Sequence, residues 1–307
     1  MEQRKAYVTL LTKNSYLPAA LVLSECLKQV GSKYPLVIMS TPSLPPEGRE
    51  ALTRQGLDII TVDSLRPAPN THVLSELDVR FADTWTKLRG FGLVDFERIV
   101  LLDCDMIVIR NMDELFDLDL PDGWIAAAHA CACNPMKIAH YPADWIPENC
   151  AYTPLRHPTA LTHPTQTQPG SPRAHGLLNS GTVVLKPSEE AISGLTEFLS
   201  TSPLVPTFLF PDQDLLAAFY KGQWKPLPWC YNALKTLRSI HQPLWRDEEI
   251  RCLHYIFAVK PWQTRVVDEW EKEMHQWWWD RFRLLEDRLR QEGDEETMKL
   301  VRENIAQ

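Results

Sequence analysis

Hydrophobic and polar residues alternate along this chain in blocks that predict strands and helices in turn. Residues 6–11, AYVTLL, are β-branched or aliphatic and predict a strand, and residues 17–30 place apolar side chains at helical spacing. Further strands are predicted at residues 36–39 and 57–62, with a helix at residues 45–55 between them. This alternation is typical of an α/β fold with a parallel sheet.

The apolar stretch RIVLLDCDMIVIR, residues 98–110, is interrupted once by two carboxylates. The four aliphatic residues 99–102 predict a strand that is buried on both faces. An unpaired carboxylate is costly to bury, so we expect Asp103 and Asp105 at the carboxyl edge of the sheet, next to a cation or hydrogen-bond donors. In an extended chain both side chains point the same way and can bind one divalent ion. The alternative is a strand-end turn with two solvated aspartates.

Two further segments place polar groups next to predicted elements. Lys87 lies in the first turn of a predicted helix, where it can contact a phosphate, although a solvated surface lysine is the simpler interpretation. Asn179 and Ser180 precede a strand predicted at residues 182–186, and their amide and hydroxyl groups can bind sugar hydroxyls.

The last third of the chain adds acidic, imidazole and ammonium groups. Asp212 and Gln213 precede a predicted helix, where capping by Asp212 alone would explain the aspartate. His254 lies in a predicted strand; such a histidine is usually a core residue, yet two aspartate ligands need a third and a neutral imidazole suits the role. Lys260 follows six residues later and could neutralise a diphosphate.

Two regions depart from the alternating pattern. Residues 130–176 contain eight prolines, and a connection this long inside a compact domain is either functional or disordered. We interpret it as a lid over an acceptor pocket. Residues 267–307 predict an amphipathic helix that packs on the preceding domain, with a partner-binding helix as the alternative.

Composition narrows the function classes. A chain of 307 residues with 44% hydrophobic content can bury one large core, and a net charge of −8 argues against a general nucleic-acid binder. No signal peptide or membrane-length apolar run is visible, which predicts a cytoplasmic protein. Seven cysteines form no C-x-x-C pair, and the spacing of Cys131 and Cys133 is unlike that of zinc ligands, so we expect reduced, mostly buried thiols.

Seven motifs together resemble glycosyltransferase family 8, the retaining enzymes that include glycogenin and galactinol synthase. They are YVTLLTKNSY, TWTKLRGF, VLLDCDMIVIRNMDELFD, LLNSGTVVL, PDQDLL, PLPWCYNAL and HYIFAVKPW, and they cover about residues 5–264. The resemblance implies an α/β fold of the GT-A type, a Rossmann-like nucleotide-diphospho-sugar transferase domain with a mixed, mostly parallel sheet. This single domain would span residues 1–266, with residues 130–176 as an acceptor-side loop and residues 267–307 as a helical extension.

The resemblance also implies a role for each matching residue. Asp103, Asp105 and His254 would bind Mn²⁺, with Mg²⁺ as the alternative, and Lys87, Asp212 and Gln213 would carry the chemistry. Contacts to the UDP-sugar donor would come from Leu10, Thr12, Tyr16, Arg80, Lys87, Cys104 and Lys260 on the nucleotide side, and from Asn179, Ser180, Asp212 and Gln213 on the sugar side.

Three departures from the family pattern distinguish this chain. Lys13 stands where glycogenin-like chains tend to have Asn, and Phe257 replaces a glycine expected between His254 and the KPW turn. The self-glucosylated tyrosine expected after the YN motif is missing, with Ser239 seven residues beyond Asn232. Self-glucosylation at that place is therefore not expected, and the chain resembles the galactinol synthase branch more closely.

The implied function is metal-dependent transfer of a hexose from a UDP-sugar to a hydroxyl acceptor, with retention at the anomeric carbon and a homodimer as a family-typical assembly. A catalytically silent binding module and a UDP-sugar hydrolase are the alternatives. UDP-glucose, UDP-galactose and an N-acetylated donor all remain open, as does the acceptor.

Overall fold

A computed structural model of the protein describes residues 4–69, 71–72 and 83–307. Within these ranges a central sheet has seven strands in the order β3-β2-β1-β4-β7-β6-β8. The strands are β1 (Arg4–Leu11), β2 (Leu36–Ser40), β3 (Asp58–Thr61), β4 (Phe96–Leu102), β6 (Ile125–His129), β7 (Leu178–Leu185) and β8 (Trp224–Pro226).

The central sheet is mixed and mostly parallel, as expected for the GT-A fold. Strands β1 to β4 pair in parallel, for example Val8 with Leu101, and β6 pairs in parallel with β8. Strand β7 runs antiparallel to both neighbours, with Val184 opposite Val100 and Ala126. The carboxyl ends of β1 and β4 therefore meet at one edge, where an α/β sheet binds its ligands.

A second, three-stranded sheet closes this edge. It contains β5 (Met106–Val108), β9 (Ala233–Leu234) and β10 (Cys252–His254) in the order β5-β10-β9 among the described residues. Because only three residues separate β4 from β5, the chain between the two strands lies between the two sheets. Asp103 and Asp105 lie in that short connection.

The core is divided by the central sheet, because alternate side chains of a strand face opposite sides. In β1, Tyr7 packs into one buried cluster, whereas Ala6 and Val8 pack into the other. The described helices are α1 (Leu17–Gln29), α2 (Pro46–Arg54), α3 (Glu189–Thr201), α4 (Pro211–Phe219), α5 (Leu237–Ile240), α6 (Glu269–Glu292) and α7 (Glu295–Glu303). A long 3₁₀ helix, Thr84–Gly92, stands where the sequence predicted the helix that carries Lys87.

Helix α6 packs into the buried cluster that contains Tyr7. Met274, Trp278 and Phe282 recur at a spacing of four and are buried in it, and the helix packs against α1. The helix ends at Gly293, whose φ of 69° is the left-handed conformation that favours glycine at this position. None of the described helices combines the length and the apolar composition that crossing a bilayer requires.

The proline-rich segment has little regular structure. Between β6 and β7 its helical turns are the 3₁₀ turns Pro147–Asn149, Thr159–Leu161 and Arg173–Gly176. Tyr152 and Ala160 of the segment are buried in the same cluster as Tyr7, whereas Ala132, Trp145 and Ala174 form a small buried cluster apart from the two large ones.

Candidate active site

One cavity of about 250 Å³ lies between the two sheets, at the carboxyl ends of β1 and β4. It brings together residues that are up to 250 positions apart in the sequence. Every candidate site residue that the structure describes lines it, and Arg80 lies outside the described residues. These lining residues are Leu10, Thr12, Tyr16, Lys87, Asp103, Cys104, Asp105, Asn179, Ser180, Asp212, Gln213, His254 and Lys260.

Asp103, Asp105 and His254 form what we call the aspartate cluster. The Nε2 atom of His254 lies 3.6 Å from one oxygen of Asp103 and 3.3 Å from one oxygen of Asp105. One donor atom from each residue thus faces the same point, and the three atoms lie within 4.8 Å of one another. The positions after β4 and at the end of β10 create this convergence, because β10 pairs with β5 just beyond the aspartates.

Two buried lysines bind the opposite oxygens of the aspartates. The Nζ atom of Lys87 is 2.6 Å from Asp103 and 2.7 Å from Asp212, and it also donates to the backbone oxygen of Ser180 at 3.0 Å. Lys260 forms an ion pair with Asp105 and donates to the backbone oxygen of Tyr255 at 2.6 Å. Each aspartate is therefore anchored on one side and presents its other oxygen to the cluster.

The pKa values of these groups reflect burial and the nearby charges. Burial disfavours the ammonium form of Lys87, yet the carboxylates of Asp103 and Asp212 raise its pKa above the ordinary value. Burial also acts to raise the pKa of Asp105, but Lys260 and His254 outweigh it and hold that pKa well below the usual range. Burial raises the pKa of Asp103, with its repulsion from Asp105 adding to the effect.

A relay of side-chain amides fixes the orientation of the His254 ring. The Oδ1 atom of Asn179 accepts from the backbone N–H of Gly181 at 3.0 Å and from Nδ2 of Asn232 at 2.7 Å. The Oδ1 atom of Asn232 then faces Nδ1 of His254 at 2.9 Å. Because that oxygen can only accept, Nδ1 donates to it, and Nε2 is the ring nitrogen that faces the aspartates.

The relay also fixes Gln213. The Nδ2 atom of Asn179 donates to Oε1 of Gln213 at 2.9 Å, which leaves the Nε2 amide of Gln213 as the donor that faces the cavity. Asn232 lies in the motif PLPWCYNAL, but no role for it was predicted from the sequence. The only sign of a role in the sequence is that Asn232 comes directly before β9, the strand that pairs with β10.

Asn179 and Ser180 lie inside β7, and the expectation that they precede the strand was wrong. The β6–β7 pairing shifts register between Ala127 and Ala128: Ala127 lies opposite Val183 but Ala128 lies opposite Asn179, so residues 180–182 of β7 bulge out of the pairing with β6. At this bulge Gly181 has a steric role, because a Cβ atom there would lie 2.5 Å from the His254 ring. The imidazole of His254 occupies the space that a side chain at position 181 would need.

The capping explanation for Asp212 was also wrong. Helix α4 begins at Pro211, and Asp214 accepts the backbone N–H groups of Leu209 and Phe210 at 2.8 and 2.9 Å. Asp212 instead points to Lys87. Burial raises the pKa of Asp214 to about 6.

Opposite the aspartates, the cavity is lined by the turn after β1 and by the loop before Lys260. Thr12 donates to Asp83 at 3.4 Å, the ammonium of Lys13 lies 5.1 Å from the ring centre of Tyr16, and the thiol of Cys104 donates to the Tyr16 carbonyl at 3.7 Å.

Phe257 has a φ of 71°, the left-handed conformation that favours glycine. A phenylalanine thus stands in a conformation suited to the glycine that the family pattern expects there.

Aromatic rings that the sequence analysis missed form another wall. Tyr141 and Trp145 of the proline-rich segment pack edge to face at 5.1 Å, and Trp145 stacks on Phe210 at 5.5 Å. All three line the cavity. The only sequence signal was aromatic residues among prolines, which does not indicate which partner they meet.

The donor set of the aspartate cluster fits a divalent cation. Two carboxylates that repel each other at one point are stabilised by a cation, and oxygen with imidazole nitrogen suits a hard or intermediate metal ion. The hydrogen bond behind His254 also fits a metal ligand, since Nδ1 of the ring donates to the side-chain oxygen of Asn232.

A family model described as glycosyl transferase family 8 matches residues 7–265. The chain belongs to this family. Among its relatives, galactinol synthase 1 of Ajuga reptans is 30% identical over 284 residues, which cover 90% of this chain and 80% of the relative. Galactinol synthase 4 of Arabidopsis thaliana is 29% identical over 289 residues, with the same shares of each chain covered.

Solved structures share the fold of this family 8 glycosyltransferase. The galactosyltransferase LgtC, solved with donor and acceptor sugar analogues, superposes with a TM-score of 0.59 at 17% identity, covering 89% of this chain and 94% of LgtC. The glycosyltransferase GlyE of Streptococcus pneumoniae gives a TM-score of 0.58 at 16% identity, covering 94% of this chain and 64% of GlyE. The expected GT-A fold is thereby confirmed.

Proposed function

We propose that this chain is a retaining hexosyltransferase that moves a hexose from UDP-glucose or UDP-galactose to a hydroxyl acceptor. The observation that carries the proposal is the aspartate cluster, flanked by two buried lysines and adjoining Asp212 and Gln213 in one cavity. Membership of family 8 and the galactinol synthase relatives support the same class of reaction.

The charges of the cavity suit a diphosphate once a divalent cation is present. Asp103, Asp105 and Asp212 face Lys87 and Lys260, so the five groups together carry one negative charge. Asp103, Asp105 and His254 would hold Mn²⁺, with Mg²⁺ as the alternative. The bound ion supplies Lewis-acid stabilisation of negative charge on the leaving diphosphate.

In the proposed reaction the bond between the anomeric carbon and the β-phosphate oxygen breaks, and the acceptor oxygen bonds to that carbon on the same face. The acceptor proton passes to the departing diphosphate. Lys87 and Lys260 contribute positive charge beside the diphosphate. Asp212 is paired with Lys87, so we assign it to positioning the donor and propose no covalent intermediate.

The proline-rich segment supplies the acceptor side in this proposal. Tyr141, Trp145 and Phe210 present ring surfaces to the cavity, and apolar faces of a sugar or polyol pack well on such surfaces. The amide of Gln213 lines the same cavity and would donate to sugar hydroxyls.

The test is an assay of UDP release from UDP-glucose and from UDP-galactose, with Mn²⁺ and after EDTA treatment. Acceptors should include polyols, sugars and small phenols, with galactinol among the products sought. We expect Mn²⁺-dependent release that one acceptor stimulates, and NMR of the product should show the anomeric configuration of the donor.

Other outcomes identify the alternatives. Mn²⁺-dependent release that no acceptor stimulates would indicate a UDP-sugar hydrolase. Neither UDP release nor UDP binding under any condition would indicate a silent binding module, and a product of inverted configuration would contradict the retaining mechanism.

A further inference from the structure

Three cysteines and one histidine meet beside the candidate active site although they are far apart in the sequence. The Nε2 atom of His241 lies 3.2 Å from the sulfur of Cys133, 3.6 Å from that of Cys131 and 3.6 Å from that of Cys150. The sulfurs of Cys131 and Cys150 are 4.0 Å apart, and all four atoms lie within 4.8 Å of one another. We call these four residues the cysteine cluster.

The distances within the cysteine cluster match the edges of a metal-centred tetrahedron. With zinc bonds of about 2.3 Å to sulfur and about 2.0 Å to nitrogen, neighbouring ligands lie about 3.8 Å apart for two sulfurs and about 3.5 Å apart for nitrogen and sulfur. The observed separations of 3.2 to 3.6 Å and of 4.0 Å fall around these values.

The donor types and the surroundings point to one metal. Three thiolates and an imidazole are soft to intermediate ligands, and a tetrahedral set of them is typical of structural zinc. Cys133, Cys150 and His241 are buried, and Cys131 is partly buried at the cavity wall. We propose that the cysteine cluster binds one structural Zn²⁺, releasing the thiol protons to solvent.

The seven cysteines are free and mostly buried, as expected, and the proposal departs only from the expectation that the spacing of Cys131 and Cys133 argues against a zinc site. Cys131 and Cys133 follow β6 with one residue between them, Cys150 follows a 3₁₀ turn, and His241 follows α5. The fold, rather than a short motif, unites them. A disulfide between Cys131 and Cys150 would require the sulfurs to approach from 4.0 Å to about 2.05 Å and would leave Cys133 and His241 unused.

A zinc ion here would act as a cross-link in a part of the chain that has little regular structure. It would join the beginning and the middle of the proline-rich segment to the chain after α5. Such a cross-link would add to the apolar contacts that Cys133, Cys150 and Tyr152 of the segment make in the largest buried cluster. It would thereby fix the wall that carries Tyr141 and Trp145.

The experiment measures metal content of the full-length chain, expressed in zinc-containing medium and purified without chelator. We expect one zinc per chain by inductively coupled plasma mass spectrometry. The Asp103→Asn variant should retain this zinc, which separates it from metal at the aspartate cluster. Cys133→Ala should lose it, whereas the matched control Cys26→Ala, which removes a buried thiol outside both clusters, should keep it.

A second measurement decides the matter even if Cys133→Ala fails to fold. Exchange of the wild-type metal for Co²⁺ should give thiolate-to-cobalt charge-transfer absorption and the visible bands of tetrahedral cobalt. Zinc release by a thiol-specific mercurial should lower the melting temperature by on the order of 10 °C.

Several results would overturn the zinc assignment. They are wild-type protein that holds no zinc and takes none up after reduction, equal zinc in wild type and Cys133→Ala, or a peptide map in which Cys131 and Cys150 are joined by a disulfide. None of these readouts depends on glycosyl transfer, so the zinc site and the proposed function can fail independently.

Discussion

The aspartate cluster and the cysteine cluster use the same type of residue, a buried histidine, in opposite ways. His254 is aligned by Asn232 and points its free nitrogen into a cavity, next to carboxylates that lysines hold on their far side. His241 points its Nε2 atom at three sulfurs, and the proposed zinc would take all four of its ligands from this group. The first arrangement leaves coordination positions open for a ligand, and the second closes them.

The difference shows how one domain can separate reactive chemistry from support. Hard ligands at the carboxyl edge of the sheet suit a divalent ion that exchanges and contacts phosphate oxygens. Soft ligands that cross-link an irregular segment suit an ion that stays bound. Removing one ion should therefore abolish turnover with the fold intact, whereas removing the other should destabilise a wall of the cavity.

The largest effect is expected from Asp103→Asn. Loss of one carboxylate removes a metal ligand and the partner of Lys87, so turnover with Mn²⁺ should fall at least about 10²–10³-fold. The melting temperature and the zinc content should change little. UDP release is the measurement, with the exposed Asp119→Asn as the matched control.

Two results would contradict separate roles for the two clusters. Full turnover of Asp103→Asn would remove the metal role of the aspartate cluster. Loss of zinc together with loss of turnover would mean that the two clusters do not act separately.

A smaller effect is expected from Asn232→Leu, which leaves all three ligands of the aspartate cluster in place. The His254 ring would lose the acceptor that fixes its proton on Nδ1, so the affinity for Mn²⁺ should fall about 10–100-fold. Titration of activity against Mn²⁺ measures this change, and saturating Mn²⁺ should restore most of the turnover.

Asn232→Asp serves as the matched variant for the relay. A carboxylate still accepts from Nδ1 of His254 but cannot donate to Asn179, so an intermediate Mn²⁺ affinity is expected. An unchanged Mn²⁺ affinity in Asn232→Leu would show that ring orientation is set by packing against Gly181 instead.

The place of Asp103 and Asp105 at the edge of the central sheet could be predicted from the sequence, whereas the cysteine cluster could not, for a physical reason. Asp103 and Asp105 interrupt an apolar run, and a charge in such a run is visible without knowledge of the fold. Free cysteine is commonly buried in protein cores, so Cys131, Cys133 and Cys150 do not stand out from the apolar residues around them. Whether these cysteines lie near His241 depends on the path of the proline-rich segment, which has no periodic pattern to predict it.

Roles that depend on partners were also beyond the sequence. Asp212 was readily explained as a cap until its contact with Lys87 was seen, and the bulge that places Asn179 and Ser180 within β7 follows from a register shift between strands. The alternation of strands and helices predicted the α/β fold, because periodicity is a local property. Hydrogen-bond partners are not.

A third buried histidine belongs to neither cluster, and the change expected there is the smallest. His275 on α6 is buried, and neither ring nitrogen has a hydrogen-bond partner within the described part of the chain; the nearest carboxylate oxygen, of Glu271, is 3.9 Å away. Burial lowers its pKa from 6.5 to about 4, with the charges of Lys235 and Lys260 adding to the effect. Between these pH values the unfolded chain binds a proton that the folded chain does not, so His275 lowers stability as the pH falls.

His275→Phe removes this titration and keeps the ring contact with Tyr255. The free energy of unfolding of the variant relative to wild type should therefore rise by about 2 kcal/mol between pH 8 and pH 5. Urea unfolding at the two pH values measures it, with Leu285→Met on the same helix as a buried control that does not titrate. A difference in unfolding free energy that stays constant with pH would mean that the folded protein binds a proton on His275 as readily as the unfolded chain does. The buried ring would then be charged at pH 5 without a metal ion or a hydrogen-bond relay beside it.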